Sequence, residues 1–572
     1  MFEQQDSQPI IQHWSASVKE LFYEHATTDA SSDLPSISSS DEPELLQDSP
    51  FSSLPEDVIV CVLVHCDLRD IAACMAVCRL LRVMIQSQTY LLRYRILLAA
   101  NGMVDGPSGH SNKLAMLQDH CSRVASAGTY CNSHSGGHYL VRLSMADEER
   151  LVAPAFGGTI SYVTMKKAQG VAEIHEPSPI PANRTVNHWF VPFALFPEGE
   201  VYKVSADTTQ NLLLVVQHLR DGKTEWDLKV HIRSLSDPSA CHPRASSPIL
   251  YTAASGRQFK GVYSIQIHKQ YVAWGLWSDP KVVDSRIELW DWENGLFVWR
   301  CDFGPKVSFS LLDSTHIVVA ADHWDHLCVY RVTGHIRVTR DILRLDLPFH
   351  NRRVRVQESS IPVSPADAPF WPDPALRIIL VAYSRKRDGR RSGGIIIPYA
   401  TFLRWLDRIP VLDGTLSSYH SILEWEQWGP SGSALLGSPF GVHPSAMDST
   451  YPYGSRVPFL ASVRGSPQHI QVITVDLNPN GQKLAGNPYI IIPSYLRRTA
   501  SRDARVWTSH VQMRHVVYSS SREEPDPELW YPCIIAHPYG LIELFYHTVG
   551  PDAAASQQVG FRIHILDEDR HR

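Results

Sequence analysis

The 572-residue sequence has no apolar run approaching the roughly 18 to 20 residues that cross a bilayer. Its opening, MFEQQDSQPIIQ, lacks the basic-then-apolar order of a secretory signal, so an intracellular chain, cytoplasmic or nuclear, is expected. No CxxC pair occurs among its ten cysteines, which leaves no common zinc spacing and no disulfide framework, and reduced, mostly buried thiols are expected. An excess of positive charge is also missing. With 53 Lys and Arg against 59 Asp and Glu, no overall basic field is available to hold nucleic acid. GxSxG elbows, phosphate-cradling glycine loops and HExxH are absent as well, so neither an enzyme nor a cofactor is expected. What the chain does have is 44% hydrophobic content at a length too great for one simple core, and at least two domains follow.

Residues 1–50 read as a mostly disordered leader. TTDASSDLPSISSSDEPELLQDSP carries too little apolar surface to offset the entropy of ordering, and its serines suit either a solvated tail or a phosphorylation-controlled docking segment. Upstream, Ile11, Trp14, Val18, Leu21 and Phe22 recur at helical spacing.

SSLPEDVIVCVLVHCDLRDI follows, with seven consecutive apolar residues from Val58 to Val64. β-Branched content alone predicts a buried strand. The capping box Ser53-Leu54-Pro55-Glu56 predicts a helix to about His65 instead. Asp67 caps a second helix, striped by Leu68, Ile71, Met75, Cys78 and Ile85 and thickened by Val77, Leu81 and Met84. A third runs from about Gln88 to Asn101 and Gly102. Three short helices cannot bury a first helix that is apolar on nearly every side, so one side must face the rest of the chain or another protein.

LPEDVIVCVLVHCDLRDIAACMAVCRLLRVMI resembles an F-box, with its Leu-Pro start, apolar first helix, Asp-Leu turn and Val-Cys-Arg stretch. YLLRYRILLAANGMVDGP is similar to the extension of basidiomycete F-box proteins, and VHIRSLSDPSACHPRASSPIL to a segment of their C-terminal regions. Where F-boxes commonly carry Trp, this chain has Leu81. The resemblance implies a substrate receptor of a Skp-cullin-F-box ubiquitin ligase, with the adaptor, and through it a cullin, as partner. By position, the adaptor-facing residues are Leu54, Pro55, Val58, Ile59, Val62, Leu63, Leu68, Ile71, Val77, Cys78 and Leu81. The same residues also suit an internal helical core. A non-catalytic scaffold that binds the adaptor without delivering a target is the second reading of the function.

The expected domains are F-box and helical extension at 51–107, a helical connector and loop at 108–150, and a β region at 151–572. In the connector, Leu114, Leu117, Cys121 and Val124 form a helical stripe over 111–126, and AGTYCNSHSGGHY reads as a loop. From about residue 150 short apolar strands come in six pairs, beginning with NLLLVVQHL and LKVHIRSL and ending with PCIIAHPYG and LIELFYHT. The terminal VGFRIHILD is placed to close a ring by pairing with an early strand. Radial repetition of this kind predicts a degenerate six- or seven-bladed β-propeller, with an antiparallel sandwich or two stacked β domains as alternatives, and the whole chain is α+β multidomain. In RIELWDWENGLFVWR, Trp290 and Asp291 form a WD dipeptide and Asn294-Gly295 the signal of a type I′ turn, so the unit looks like a WD repeat. Spacing between successive units is about 40 to 77 residues, whereas regular WD repeats keep about 40 to 45, which predicts long inserts.

DHWDH, residues 322–326, places His323 and Asp325 in the HxD half of a two-histidine, one-carboxylate iron site, the mark of an iron-dependent oxygenase. His65 and Asp67 form the same triplet between two helices and no third ligand is identifiable, so a polar turn and no metal are expected. RKRDGRR, residues 385–391, reads as a basic loop tip at Asp388-Gly389. Most of the 15 tryptophans are expected in the core, and no target-binding face stands out.

Overall fold

The computed structural model describes residues 54–130, 138–143, 150–177, 186–220, 226–252, 259–278, 284–332, 341–348, 352–364, 368–385, 393–409, 421–436, 450–463, 466–478, 514–518, 529–537, 540–548 and 557–565, apart from 67, 78, 88, 110, 159, 305 and 453. The leader, the helix expected near residues 11–22, the caps at Ser53 and Asp67, Cys78 and the Asp388-Gly389 turn lie outside the described residues. The chain divides into two compact units, with the division after Ala100.

The first unit contains helices α1 (Glu56–His65), α2 (Leu68–Val77), α3 (Arg79–Ser87) and α4 (Thr89–Ala100). The stripe expected as one helix over 68–85 is therefore two. From Met75 to Leu81 is about 240° of helical rotation beyond a full turn. Both side chains can reach one core only if the helix is interrupted, and both are buried there with Ile59, Leu63, Ile71, Met84 and Ile85. The start of α1 also differs from expectation. Pro55, not Ser53, precedes the first helical residue, and no side chain caps it. A residue before proline is driven out of the helical region, so Leu54 cannot begin the helix, and the first turn forms two positions later. The Pro55 carbonyl accepts the N–H groups of Val58 at 3.0 Å and Ile59 at 3.2 Å. At the helix C-termini arginines bond terminal carbonyls: Arg95 Nη1 donates to Leu63 O at 3.2 Å and Arg82 Nε to Met75 O at 3.1 Å.

The second unit opens with Met103–Asp105, which pairs antiparallel with Phe370–Pro372. Residues grouped by sequence with the helical extension thus belong to the β unit. Helix α5 (Lys113–Tyr130) follows, longer than the expected stripe. Gly128 weakens it by about 1 kcal/mol relative to alanine but does not end it. Its buried Lys113 donates to Asp105 Oδ1 at 2.8 Å and Gly106 O at 2.7 Å.

The strands then fall into groups of consecutive antiparallel strands, to which Ser421–Leu423 adds in parallel beside Leu343–Asp346 and Thr450–Tyr451 in parallel beside Leu529–His537. Sheet A contains Arg150–Phe156, Ile160–Lys166, Val171–Pro177 and Val186–Pro192; sheet B contains Glu200–Asp207, Leu212–Arg220, Trp226–Ser234 and Ile249–Tyr251. Sheet C has Phe259–His268, Tyr271–Ser278, Ser285–Asp291 and Leu296–Phe303, and meets sheet A through one parallel bridge, Gln266 to Phe156. Sheet D has Val307–Leu311, His316–Ala321, His326–Arg331 and Leu343–Asp346, and sheet E has Arg352–Val356, Ile378–Arg385, Gly393–Pro398 and Ala434–Leu436. Sheet F comprises Arg456–Val463, Ser466–Asp476 and Arg514–Tyr518. In sheet G, Leu529–His537, Gly540–Thr548 and Gln557–Ile565 are completed by His138–Leu143. The last described strand thus pairs with an early one, and all six expected strand pairs are antiparallel.

From sheet A to sheet E, successive sheets share aliphatic layers, and alternation sends a strand's residues to two of them. Leu212, Leu214 and Val216 enter the layer between sheets B and C, while Leu213 and Val215 enter that between A and B. In sheet D, Ile317, Val319 and Ala321 face sheet C, and Val318 and Ala320 face sheet E. Strands buried on both faces read as unbroken apolar runs, at roughly 1.5 to 3 kcal/mol for each fully buried Val, Leu or Ile. The region is not purely β. Helices α6 (Tyr399–Leu406) and α7 (Trp425–Gly432) occupy an insert of sheet E, and Phe402, Leu406, Trp425 and Trp428 enter its layer with sheet D.

The turn after the WD dipeptide is not type I′. That turn needs positive φ at both central residues, whereas Gly295 has φ 65° and Asn294 is not among the positive-φ residues. The Asp291 carboxylate instead accepts the Asn294 N–H at 3.0 Å and its Nδ2 at 2.9 Å, closing a four-residue loop before Leu296.

Candidate functional site

Two faces of α1 have opposite environments. Ile59 and Leu63, one turn apart, are 5% and 3% exposed in the bundle core. Val58 and Val62, also one turn apart, are 44% and 58% exposed, and Leu54, four residues before Val58, is 43% exposed. Pro55 and Cys61 are exposed as well. A helix with seven successive apolar residues thus uses one side for its own unit and leaves an apolar stripe on the other. Valine gives no propensity advantage in a helix, so packing, not local preference, holds the segment helical.

The residues that sequence nominates for adaptor binding separate accordingly. Leu54, Pro55, Val58, Val62 and Val77 are exposed, Val77 most of all. Ile59, Leu63, Ile71 and Leu81 are brought together inside. Leu81, in place of the usual tryptophan, is 7% exposed and packs with Met84 and Ile85. Leu68 opens α2, and Cys78 lies outside the described residues. Val83, 55% exposed on α3, adds apolar surface that sequence reading did not single out.

In the β unit, DHWDH forms the turn between His316–Ala321 and His326–Arg331. His326 Nδ1 lies 3.2 Å from Asp325 Oδ1, and the Trp324 ring stacks on His326 and meets Phe303 edge-on. Among the described residues, the grouping able to hold a metal is elsewhere, at Glu173, His175 and His188 in sheet A. The aromatic core takes up Trp274, Trp290, Trp292, Trp299, Trp425 and Trp428, all buried.

Sheet C also carries buried charge. Arg286, 1% exposed, forks onto Asp302 at 2.6 and 3.3 Å, faces Glu288 at 3.6 Å and lies over the Phe259 ring. Glu288 accepts from the indole N–H groups of Trp274 at 3.2 Å and Trp290 at 3.3 Å. Burial holds its carboxyl above the usual carboxylate range, against these donors and Arg286.

Residues 51–97 match the F-box-like family, a small part of the chain, and contain α1 to α3 and most of α4. No curated protein matches the chain. Among solved structures, the chain is similar at 8% identity to the β-propeller domain of the Trilobed protease from Pyrococcus furiosus, with a TM-score of 0.35 over 74% of this chain and 96% of that one. The acylaminoacyl peptidase of Pyrococcus horikoshii gives 8% identity and a TM-score of 0.35 over 74% of this chain, which spans 53% of that protein. An uncharacterized protein from Listeria monocytogenes gives 9% identity and a TM-score of 0.30 over 60% of this chain and 84% of that one. At these scores neither activity nor substrate transfers.

Proposed function

We propose that this chain is a non-catalytic substrate receptor of a Skp-cullin-F-box ubiquitin ligase, acting in the cytoplasm or nucleus. The helical unit docks a Skp-family adaptor, and the β unit, a seven-bladed propeller with irregular inserts, presents a target protein. The observation that carries this reading is the exposed pair Val58 and Val62 on the first helix, with exposed Leu54 just before it, in the segment that matches the F-box-like family. Completing the burial of Leu54, Val58, Val62 and Val77 supplies roughly 3 to 7 kcal/mol gross, scaled from their exposed fractions. Association costs roughly 4 to 15 kcal/mol, so a stable complex recruits Pro55, Cys61 and polar contacts besides. The blade reading rests on consecutive antiparallel groups with shared aliphatic layers and on the pairing of His138–Leu143 with Gln557–Ile565. Transfer chemistry belongs to other subunits, with this chain contributing position.

The test is copurification of the adaptor with Val58→Asp/Val62→Asp. Both side chains are half-exposed, so the helical unit keeps its core, while carboxylates on that face cannot be desolvated against an apolar partner. Loss of adaptor with unchanged circular dichroism is expected. Retained adaptor at wild-type yield refutes the docking face. Recovery of ubiquitylated partners from wild type but not from the variant separates a receptor from a scaffold.

A further inference from the structure

In sheet A, the strands Val171–Pro177 and Val186–Pro192 place His175 directly opposite His188. Glu173 lies two residues before His175, on the same face of the sheet. Glu173 and His175 are 7% and 5% exposed, whereas His188 is exposed on the edge strand. One ligand atom from each of the three lies within 4.8 Å of the other two. The carboxylate is divided in its contacts: Oε1 pairs with Lys166 Nζ, and Oε2 lies 3.6 Å from His175 Nε2. The imidazoles stack at 4.3 Å between centroids, 12° from parallel.

We propose that Glu173, His175 and His188 bind a divalent cation of the zinc class, with a further coordination position open beside His188. Two imidazoles and one carboxylate are a donor set that zinc accepts, and three protein ligands leave one position of a tetrahedron for water or another ligand. Bonds of about 2.0 to 2.2 Å in a tetrahedron put donor atoms about 3.3 to 3.6 Å apart; Glu173 Oε2 and His175 Nε2, at 3.6 Å, already meet this, and the His188 donor, within 4.8 Å, closes by at most about 1.5 Å. His188 makes that movement. It sits exposed on an edge strand, its ring between those of His175 and Phe190 at 4.3 and 4.2 Å, and a side-chain rotation is all that the closure asks of it. Glu173 and His175 are held by burial and present fixed donors. The Lys166 ammonium, on the other carboxylate oxygen, repels the incoming dication and sets the affinity below that of an unopposed site.

The test uses full-length protein treated with chelator and titrated with Co2+, whose visible absorption reports low-symmetry coordination, followed by displacement with Zn2+. One Co2+ per chain is expected, displaced by Zn2+. His188→Ala, at an exposed position, abolishes the absorption while the metal-free melting temperature stays that of wild type. Glu173→Gln weakens binding, and Lys166→Met strengthens it several-fold by removing the competing cation. Absence of the absorption in wild type overturns the site, as does its persistence in His188→Ala. A Lys166→Met variant that binds no tighter than wild type overturns the placement of the ion on the Glu173 carboxylate.

Discussion

His231 makes the β unit sensitive to acid, and the structure sets the size of the effect. The side chain, 5% exposed, belongs to the strand Trp226–Ser234 of sheet B. Gln217 donates its amide to Phe196 O at 2.7 Å and Gly199 O at 3.1 Å, which turns its Oε1 toward His231 Nε2 at 2.9 Å. Nε2 therefore carries the hydrogen, and Nδ1 has no hydrogen-bond partner among the described residues. The Phe196 ring stands edge-on to the imidazole, with centroids 5.0 Å apart. Burial, helped by Arg233 and Lys229, lowers the pKa of this histidine to about 4 from 6.5. Because the folded pKa lies below the unfolded one, the unfolded chain takes the proton first. The stability is fully present above about pH 6.5 and is lost as pH falls toward 4. The whole shift corresponds to about 3 kcal/mol, of which about 2 kcal/mol is lost by pH 5. Urea unfolding at pH 7.5, 6 and 5, on wild type and His231→Leu, checks it. The variant is less stable at pH 7.5 because Gln217 loses its partner, but it loses about 2 kcal/mol less between pH 7.5 and 5. Equal losses in the two proteins refute the assignment of that slope to His231. His175 and His268, both lowered to about 4 mainly by burial, give the variant its remaining acid sensitivity.

Gly275→Ala should cost at least about 1 to 3 kcal/mol, since its Cβ would stand 2.1 Å from Tyr263 Cζ across paired strands; thermal unfolding of this variant alone and with Tyr263→Ala, which removes the clash, measures it. Arg286→Met should destabilise by roughly 3 to 5 kcal/mol by stranding the buried Glu288, exposed Asp302 staying hydrated, and adding Glu288→Gln should recover part of the loss, as read by a double-mutant cycle in urea. In the helical unit, Leu63→Ala should cost about 2 to 5 kcal/mol, whereas Val62→Ala should change stability by less than about 0.5 kcal/mol; differential scanning calorimetry on the two variants shows whether the inner and outer faces of α1 are correctly assigned.

The features legible in the sequence were those written in consecutive residues. NLLLVVQHL marks a strand buried on both sides because odd and even positions both meet aliphatic neighbours. VGFRIHILD stood out as a closing strand by its place after the last strand pair, and it pairs with His138–Leu143. Features that depend on a change of direction were not legible. The six-residue step from Met75 to Leu81 looks like a thick stripe until the helix is seen to break, and Asn294-Gly295 signals a two-residue turn that the Asp291 side chain converts into a four-residue loop. On α1, the F-box resemblance nominated residues by position, inner and outer together, and an all-apolar helix carries no period that separates its two sides. The Glu173, His175, His188 grouping was hidden by the hairpin that brings residues 13 apart face to face. Glu-x-His at strand period, followed by a histidine in the next strand, was the signal available.

The pairing of His138–Leu143 with Gln557–Ile565 has a cost during synthesis. The early strand leaves the ribosome about 400 residues before its partner exists, and at roughly 5 to 20 residues per second it waits about 20 to 80 s with an unpaired edge. Over that interval it is a template for any other nascent strand, including that of a second copy translated from the same message. Slower elongation lengthens the exposure, so yield of native protein in cells should depend on translation speed and on chaperones that shield strand edges more than on equilibrium stability.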